Sequence, residues 1–233
     1  MPTASEIVFH LRNPPAGGQS NREYGFSDRE LLFHYGVARS ALIISRYFTQ
    51  GGRQRDDITP QYQQDLGAVP LITCDITDTL NLKWGVPIKK VAIPKVVDLP
   101  RNKGVVFFGM IDKLTTIQLN ETSYGQLNNH ARYKKRNGIW AEQISDTIYI
   151  YSKNDNVQDI PCFANIRVIA DRPELVIRYD ENGNQVPFDW DNDQYPIDTA
   201  VAEACYRMVW EDILPNVKFP TGDENKEIKN TAT

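Results

Sequence analysis

Cysteine is scarce in this sequence, and the short motifs that mark common enzymes are missing from it. The three cysteines among 233 residues, Cys74, Cys162 and Cys205, are far apart and lack the C-x-x-C spacing of zinc and redox sites. We expect them to be reduced and buried, as suits synthesis in the cytoplasm. The motifs G-x-x-x-x-G-K-[ST], G-x-G-x-x-G and G-x-S-x-G are absent. The sequence therefore predicts a protein that is not an enzyme, with no catalytic residue, no cofactor and no metal.

An excess of basic residues and a long apolar run are missing too. The formal net charge is −4, so no overall positive field exists to hold duplex nucleic acid by counterion release. Residues 1–15 contain no basic segment followed by an apolar run, which predicts neither a secretion signal nor a membrane span. A chain of 233 residues is long enough to bury one full core, so we expect one domain of ordinary size.

The clearest amphipathic helix is predicted near the C-terminus. Pro196 and Asp198 supply a fixed φ and a carboxylate at its start, and Pro215 ends it because proline cannot continue a helix. Its apolar residues recur at helical spacing: Ile197, Val201, Ala204, Cys205, Met208 and Val209. This stripe requires a packing partner elsewhere in the fold.

A second long helix is predicted closer to the N-terminus. Ser27 is placed as its N-cap, Glu30 as the capping-box partner, and Phe26 and Leu31 as a hydrophobic staple. The helix is predicted to end at Thr49 and Gln50, before a pair of glycines. Its predicted buried face carries five residues: Leu31, Tyr35, Ala38, Leu42 and Ser45.

Strand-like segments fill the middle of the chain. A short helix is predicted from Thr59 to Gly67, followed by a strand from Val69 to Ile76. Asn182 and Gly183 are predicted to form the turn of a hairpin. Further strands are predicted in IKKVAIPKVVDLP, GVVFFGMID, TTIQLN, TIYIYS and CFANIRVIADRPE.

This order of elements predicts an α+β fold, in which long N-terminal and C-terminal helices pack with a central antiparallel β region. Extended flexible arms are expected at both ends. The predicted divisions are an N-terminal arm over residues 1–25, a single α+β domain over 26–215 and a C-terminal flexible arm over 216–233.

Three alternating aspartates, Asp189, Asp191 and Asp193, invite a calcium-loop interpretation. The match fails because Gln194 stands where an EF-hand needs glycine, and Ala200 where it needs a bidentate glutamate. A polar loop that presents carboxylates toward the positive end of the following helix is the preferred interpretation. A divalent metal held for nuclease chemistry stays open as an alternative.

The three histidines do not suggest a metal site, and one run of basic residues has two interpretations. His10, His34 and His130 are isolated from one another and from cysteine. A basic run within the predicted loop 126–138 is interpreted either as a contact for a nucleic-acid backbone or an acidic neighbour, or as a solvated loop. Its residues are Arg132, Tyr133, Lys134, Lys135 and Arg136.

Aromatic residues cluster around the C-terminal helix. Trp190, Tyr195, Trp210 and Phe219 suit a contact surface, because aromatic side chains are enriched where proteins bind one another. Packing of the same residues in the core is the alternative.

Six segments occur in an order that suggests a family: FSDRELLFHYGVARSALI, QQDLGAVPLITCDI, IPKVVDLPRNKGVVFFGMID, DTIYIYS, IRVIADRPE and DNDQYPID. With this order, residues 20–214 resemble the ring or head-to-tail connector proteins of crAss-like phages, the tailed phages of gut Bacteroidales.

The resemblance implies a virion structural protein, a ring subunit of the portal–neck–tail complex that connects head and tail and forms the DNA conduit. It further implies a homo-oligomeric ring, twelvefold to match the portal, with the portal protein and adjacent neck or tail rings as partners. Phage DNA in the central channel is a further partner to test. An adaptor module that attaches tail fibres to the neck is the alternative.

Overall fold

Three α-helices and ten strands make up the part of the chain that the computed structural model describes. The described residues are 1–13, 26–49, 60–74, 88–99, 104–111, 117–120, 139–152 and 160–213. The helices are α1 (Ala4–Arg12), α2 (Asp28–Thr49) and α3 (Thr199–Met208), and a π-helical turn (Val209–Ile213) continues α3. Short 3₁₀ turns lie at Pro60–Tyr62 and Pro173–Leu175. The strands are β1 (Gln64–Pro70), β2 (Ile72–Thr73), β3 (Lys89–Ala92), β4 (Val105–Gly109), β5 (Gln118–Asn120), β6 (Ile139–Ile144), β7 (Thr147–Ser152), β8 (Phe163–Val168), β9 (Arg178–Tyr179) and β10 (Gln185–Val186).

The strands form two five-stranded sheets, ordered β10-β9-β1-β8-β4 and β2-β3-β7-β6-β5. Most neighbours are antiparallel, but β1 pairs with β9 and β5 with β6 in parallel. Alternate residues of both sheets contribute to one apolar core. Its members include Leu66, Val69, Val91, Phe108, Ala141, Ile148, Ile150, Ala164, Ile166 and Val168.

A β-bulge in β1 allows Leu66 and Val69, which are separated by an odd number of positions, to lie in the same core. Leu66 and Val69 are three positions apart, so a regular strand would direct them to opposite faces. The pairing register with β8 shifts between Asp65 and Ala68, where Gly67 adopts φ 77°. Both apolar side chains are therefore buried.

The helices form a second apolar core of their own. Buried residues of all three helices pack together and against loop residues such as Ile169 and Tyr195. The helical members include Ala4, Ile7, Val8 and Leu11 from α1, Leu31, Leu32, Tyr35 and Ala38 from α2, and Val201, Ala202 and Cys205 from α3. Residues 4–12, at the start of the predicted N-terminal arm, therefore form a helix that is packed on the domain.

Arg39 connects the helical core to the first sheet, ordered β10-β9-β1-β8-β4. Its side chain is fully buried and donates to three carbonyl oxygens, those of Pro196 (2.9 Å), Ala170 (2.8 Å) and Tyr62 (3.2 Å). Ala170 follows β8 and Tyr62 precedes β1, so one guanidinium joins α2 to two neighbouring strands. A charged group of this kind is tolerated in a core only when its donors are satisfied.

The predicted fold class is wrong. The fold is mixed α/β, with two five-stranded sheets in place of the predicted central antiparallel β region. The terminal helices are short, nine residues in α1 and ten in α3, and the 22-residue helix α2 lies between them in the sequence. Parallel strand pairs and the long-range pairing of β1 with β8 carry no local sequence pattern, which is why the prediction missed them.

Several local predictions can also be compared with the structure. The capping box at Ser27 and Glu30, the Asp198 carboxylate at the start of the C-terminal helix and the hairpin around Gly183 are confirmed. The helix predicted over 59–67 is wrong, because a 3₁₀ turn is followed at once by β1. The cysteines are free, but the prediction that all are buried is wrong, since Cys162 is exposed and Cys74 half-buried.

Within the described ranges, none of the helices combines the length and the apolar character that crossing a bilayer requires. The predicted basic loop 126–138 and the predicted C-terminal arm 216–233 lie outside the described residues.

Candidate functional site

Helix α2 carries a row of apolar side chains on its solvent side, in addition to its buried face. Phe33, Val37 and Phe48 are exposed at 41%, 46% and 62%, and Ala41 is exposed and Ile44 half-buried between them. Spacings of four, four, three and four residues keep all five along one side of the helix. We call these five residues the α2 stripe. It is about 22 Å long at the helical rise of ~1.5 Å per residue.

The stripe is held rigidly because both the start and the middle of α2 are fixed. The Ser27 N–H donates to Glu30 Oε2 (2.7 Å), and the Glu30 N–H donates to Ser27 Oγ (3.3 Å). The hydrogen bond from the Ser27 backbone lowers the pKa of Glu30. Farther along, Arg39 ties the opposite side of the helix to the residues that flank β1 and β8 in the first sheet. The apolar side chains are therefore presented on a fixed backbone.

A neighbouring turn extends this surface at the N-terminal end of the stripe. The Arg172 guanidinium lies over the Phe33 ring, 4.6 Å from its centroid. Arg172 is itself oriented by Glu174, whose Oε1 accepts from its Nε (2.8 Å). The same turn continues into Leu175 and Ile177, which are exposed at 65% and 45%. Apolar exposure thus continues from α2 into the turn that follows β8.

An exposed row of apolar residues on a helix is a suitable surface for binding another protein. Scattered apolar residues on a surface are ordinary, but a continuous group marks an interaction site. Burying a fully exposed large apolar side chain contributes roughly 1.5–3 kcal/mol, so covering the exposed parts of these residues favours association. The stripe contains no reactive group, and its chemistry is limited to binding.

The carboxylates of the predicted acidic loop accept hydrogen bonds from within the loop. Asp189 accepts from the backbone of Asp191 (3.0 Å) and from the backbone and side chain of Asn192 (3.2 and 2.8 Å). These bonds, with that of the Asn192 side chain the largest contribution, lower the pKa of Asp189. Asp193 accepts from the Asp189 N–H (2.7 Å) and from Arg178. The aspartates therefore shape the loop.

The middle aspartate of the loop, Asp191, anchors the N-terminal helix. Asp191 Oδ1 accepts from the Ser5 hydroxyl, and the Ser5 N–H donates to the carbonyl of Trp190 (3.1 Å). Among the residues that the structure describes, no group of three or more histidine, cysteine and acidic side chains could hold a metal ion. The sequence predicts that the loop aspartates present carboxylates toward the positive end of the following helix. That helix is capped by Asp198, so the carboxylate at its positive end is that of Asp198.

The predicted aromatic cluster belongs largely to the helical core. Tyr195 is fully buried there, and Trp190 and Trp210 pack against the same core from its edge. Trp210 stacks on Tyr206 with ring centroids 5.7 Å apart. The core interpretation is therefore confirmed for Tyr195, while Phe219 lies outside the described residues.

The two described histidines, His10 and His34, each contact aromatic rings. His10 is exposed. Its ring and the Tyr206 ring are in a T-shaped arrangement, with their centroids 5.7 Å apart. His34 lies between Phe26 and Phe33, and burial lowers its pKa. His130 and the basic run from Arg132 to Arg136 are outside the described residues.

Sequence reasoning missed both Arg39 as a structural connection and the α2 stripe. The apolar pattern of α2 was assigned to one buried face, although its residues divide between two faces. The signal for the second face is the row at positions 33, 37, 41, 44 and 48, which repeats the helical spacing on the side opposite Arg39.

No protein-family model matches this chain, and no curated protein matches it in sequence.

Proposed function

We propose that the chain is a non-enzymatic structural subunit of a phage virion, which assembles with copies of itself into a ring of the portal–neck–tail complex. The observation that carries the proposal is the α2 stripe, in which the apolar side chains of Phe33, Val37 and Phe48 are exposed at 41%, 46% and 62%. The sequence resemblance to ring proteins of crAss-like phages supports the same role. The proposed partners are the portal protein and the adjacent rings, in a twelvefold assembly around the DNA channel.

A closed ring requires two different contact surfaces on every subunit, because each copy meets its two neighbours head to tail. The outer face of the second sheet offers the other surface. Ile72 and Ile144 are exposed there at 59% and 42%. The strand register places Ile72 in one row with Glu142 across β3 and β7, and Ile144 stands two positions from Glu142, on the same face. The α2 stripe of one copy and this sheet face of the next form the proposed contact.

The test changes one residue of the stripe. Val37→Glu places a charge in the proposed contact, where it must lose its hydration without a partner. Each 1.4 kcal/mol lost is about a tenfold loss in association constant, so we expect at least a ~10-fold weakening at every contact. The matched control is Ala200→Glu, which adds the same side chain at an exposed position of α3.

Mass photometry of the purified chain, alone and with the portal protein of the same phage, measures the outcome. We expect the unchanged chain and Ala200→Glu to give one closed ring, and Val37→Glu to remain in small species while keeping the native circular dichroism spectrum. An unchanged chain that stays monomeric under all these conditions, or a Val37→Glu variant that assembles normally, contradicts the proposal.

A further inference from the structure

A cavity of about 330 Å³ is lined by residues from three parts of the fold. Gln64 belongs to the start of β1, Arg178 to β9, and Phe188 and Asp193 to the loop that precedes α3. The volume is at the lower end of the roughly 300–1,000 Å³ that small-molecule pockets occupy. Phe188 gives the lining an apolar side chain, and the other three residues give it polar groups. The cavity therefore has the size and the mixed lining of a site for a small ligand.

Gln64 contributes a hydrogen-bond acceptor that is not in use. The residue is buried, with 8% of its surface exposed. Its Nε2 group donates to the Pro173 carbonyl (3.3 Å), so the donor end of the side chain is engaged by a residue outside the cavity lining. Oε1 is buried and, among the residues that the structure describes, has no hydrogen-bond partner. Because a buried acceptor without a donor is unfavourable, Gln64 favours a ligand that brings an N–H group.

Arg178 contributes a hydrogen-bond donor that is not in use. Its Nη2 group donates to Asp193, and the two side chains are 33% and 21% exposed. The Nε group is buried and has no acceptor in the described part of the chain. Asp193 already balances the charge of the guanidinium, so Nε requires an oxygen acceptor but not a further anion. Arg178 therefore favours a ligand that brings an uncharged carbonyl oxygen.

A ligand that satisfies both side chains must carry an N–H group and a carbonyl oxygen. A carboxylate has acceptors only, and an ammonium group has donors only, whereas a carboxamide has both. We propose that the cavity binds a small uncharged ligand through a carboxamide, whose N–H donates to Gln64 Oε1 and whose oxygen accepts from Arg178 Nε. The proposal does not depend on ring assembly, because the side chains that it uses belong to one chain.

The test compares three probes of nearly equal size: propionamide, propionate and propylammonium. Saturation-transfer NMR observes the signals of the probe, so it serves for a single subunit and for a ring alike. We expect propionamide to bind with a Kd on the order of 1–10 mM. Propionate and propylammonium each lose one of the two hydrogen bonds, so both should bind at least about tenfold more weakly.

Two variants assign the hydrogen bonds to their residues. Gln64→Met removes the acceptor and keeps the side-chain length, so propionamide should lose its advantage over propionate. Arg178→Lys keeps a positive charge for Asp193 and removes Nε, so propionamide should lose its advantage over propylammonium. The matched control is Gln61→Met, the same change at an exposed residue of the lining, which should bind all three probes as the parent chain does.

Three results would overturn the proposal. One is the absence of saturable transfer to propionamide. Another is binding of propionate as tight as that of propionamide, which would show a general attraction of Arg178 for anions. The third is unchanged binding of propionamide in both Gln64→Met and Arg178→Lys, which would place the probe elsewhere. Failure of the chain to form a ring would leave the carboxamide site standing, and loss of the site would leave the ring standing.

Discussion

Arg39 and Ala170, 131 positions apart, are joined by a hydrogen bond of 2.8 Å from the buried guanidinium to the carbonyl oxygen. Two further bonds from the same side chain reach the carbonyls of Pro196 and Tyr62. The contacts proposed for the exposed side of α2 depend on this attachment, because it holds the opposite side of the helix to the residues that flank β1 and β8.

Replacing Arg39 by methionine keeps most of the side-chain volume but removes all three bonds. Three buried carbonyl oxygens then lack donors, so we expect the free energy of unfolding to fall by about 3 kcal/mol. The measurement is urea unfolding, compared with Arg29→Met, an exposed change on the same helix that is expected to stay within about 0.5 kcal/mol. Equal urea midpoints for Arg39→Met and Arg29→Met would contradict this role of Arg39.

The bulge glycine Gly67 is expected to be intolerant of any side chain. Its φ is 77°, and a Cβ placed there would lie 1.9 Å from the carbonyl oxygen of Tyr179. Gly67→Ala is therefore predicted to reduce the free energy of unfolding by about 2–4 kcal/mol, through backbone strain and loss of the β1–β9 pairing.

Gly36 provides the matched control for this change. It lies within α2, where a Cβ would meet no atom closer than 3.7 Å, that of the Asp171 carbonyl oxygen. Gly36→Ala is expected to stabilise the protein by about 0.5–1 kcal/mol because alanine has the higher helix propensity. Thermal unfolding of both variants should give shifts of opposite sign, and a destabilised Gly36→Ala protein would refute the packing argument.

Local chemistry explains which parts of the fold could be predicted from the sequence. Ser27 with Glu30, and Asp198 with the amides of the next turn, act within three residues, so their pattern is visible in the sequence. Arg39 shows the limit, since its partners are remote in sequence and each is a backbone carbonyl that any residue provides. No residue type in the sequence identifies them.

The α2 stripe was hidden for a related reason. A helix with apolar residues on two sides gives a weaker periodic pattern than one with a single buried face. Which side is buried depends on where α1 and α3 pack against α2, and those contacts join residues that are far apart in the sequence. The candidate site could therefore be located only after the topology was known.

The Asp198 carboxylate is expected to make stability depend on pH. Burial raises its pKa, but hydrogen bonds from Tyr62 and the Val201 N–H and the charge of Arg46 outweigh this, so the pKa lies below the ordinary 3.8. Because the folded value is the lower one, the ionised group stabilises the protein above about pH 3.8, and this stabilisation is lost as the pH falls through the folded pKa.

Asp198→Asn keeps an acceptor for the Val201 N–H and removes the charge. We expect a loss of about 1 kcal/mol at pH 7, a modest value because the Arg46 side chain is 43% exposed and its attraction is screened by solvent. Urea unfolding at pH 7 and at pH 3 provides the measurement, and the difference between variant and parent should shrink at the lower pH. A difference that does not change with pH assigns the effect to packing instead of charge.

The acidic loop is expected to bind no divalent cation, because its carboxylates already serve the loop and its neighbours. Asp189 accepts from Asn192, and Asp193 accepts from the Asp189 N–H and Arg178. A cation would have to displace these donors and gather oxygen atoms that now point to separate partners. Isothermal titration with Mg²⁺, Mn²⁺ and Ca²⁺ should therefore give only heats of dilution. Saturable heat that disappears in Asp189→Ala would contradict this expectation and favour the nuclease alternative. Lower stability of Asp189→Ala, without any effect of the metals, would support the structural role of the loop.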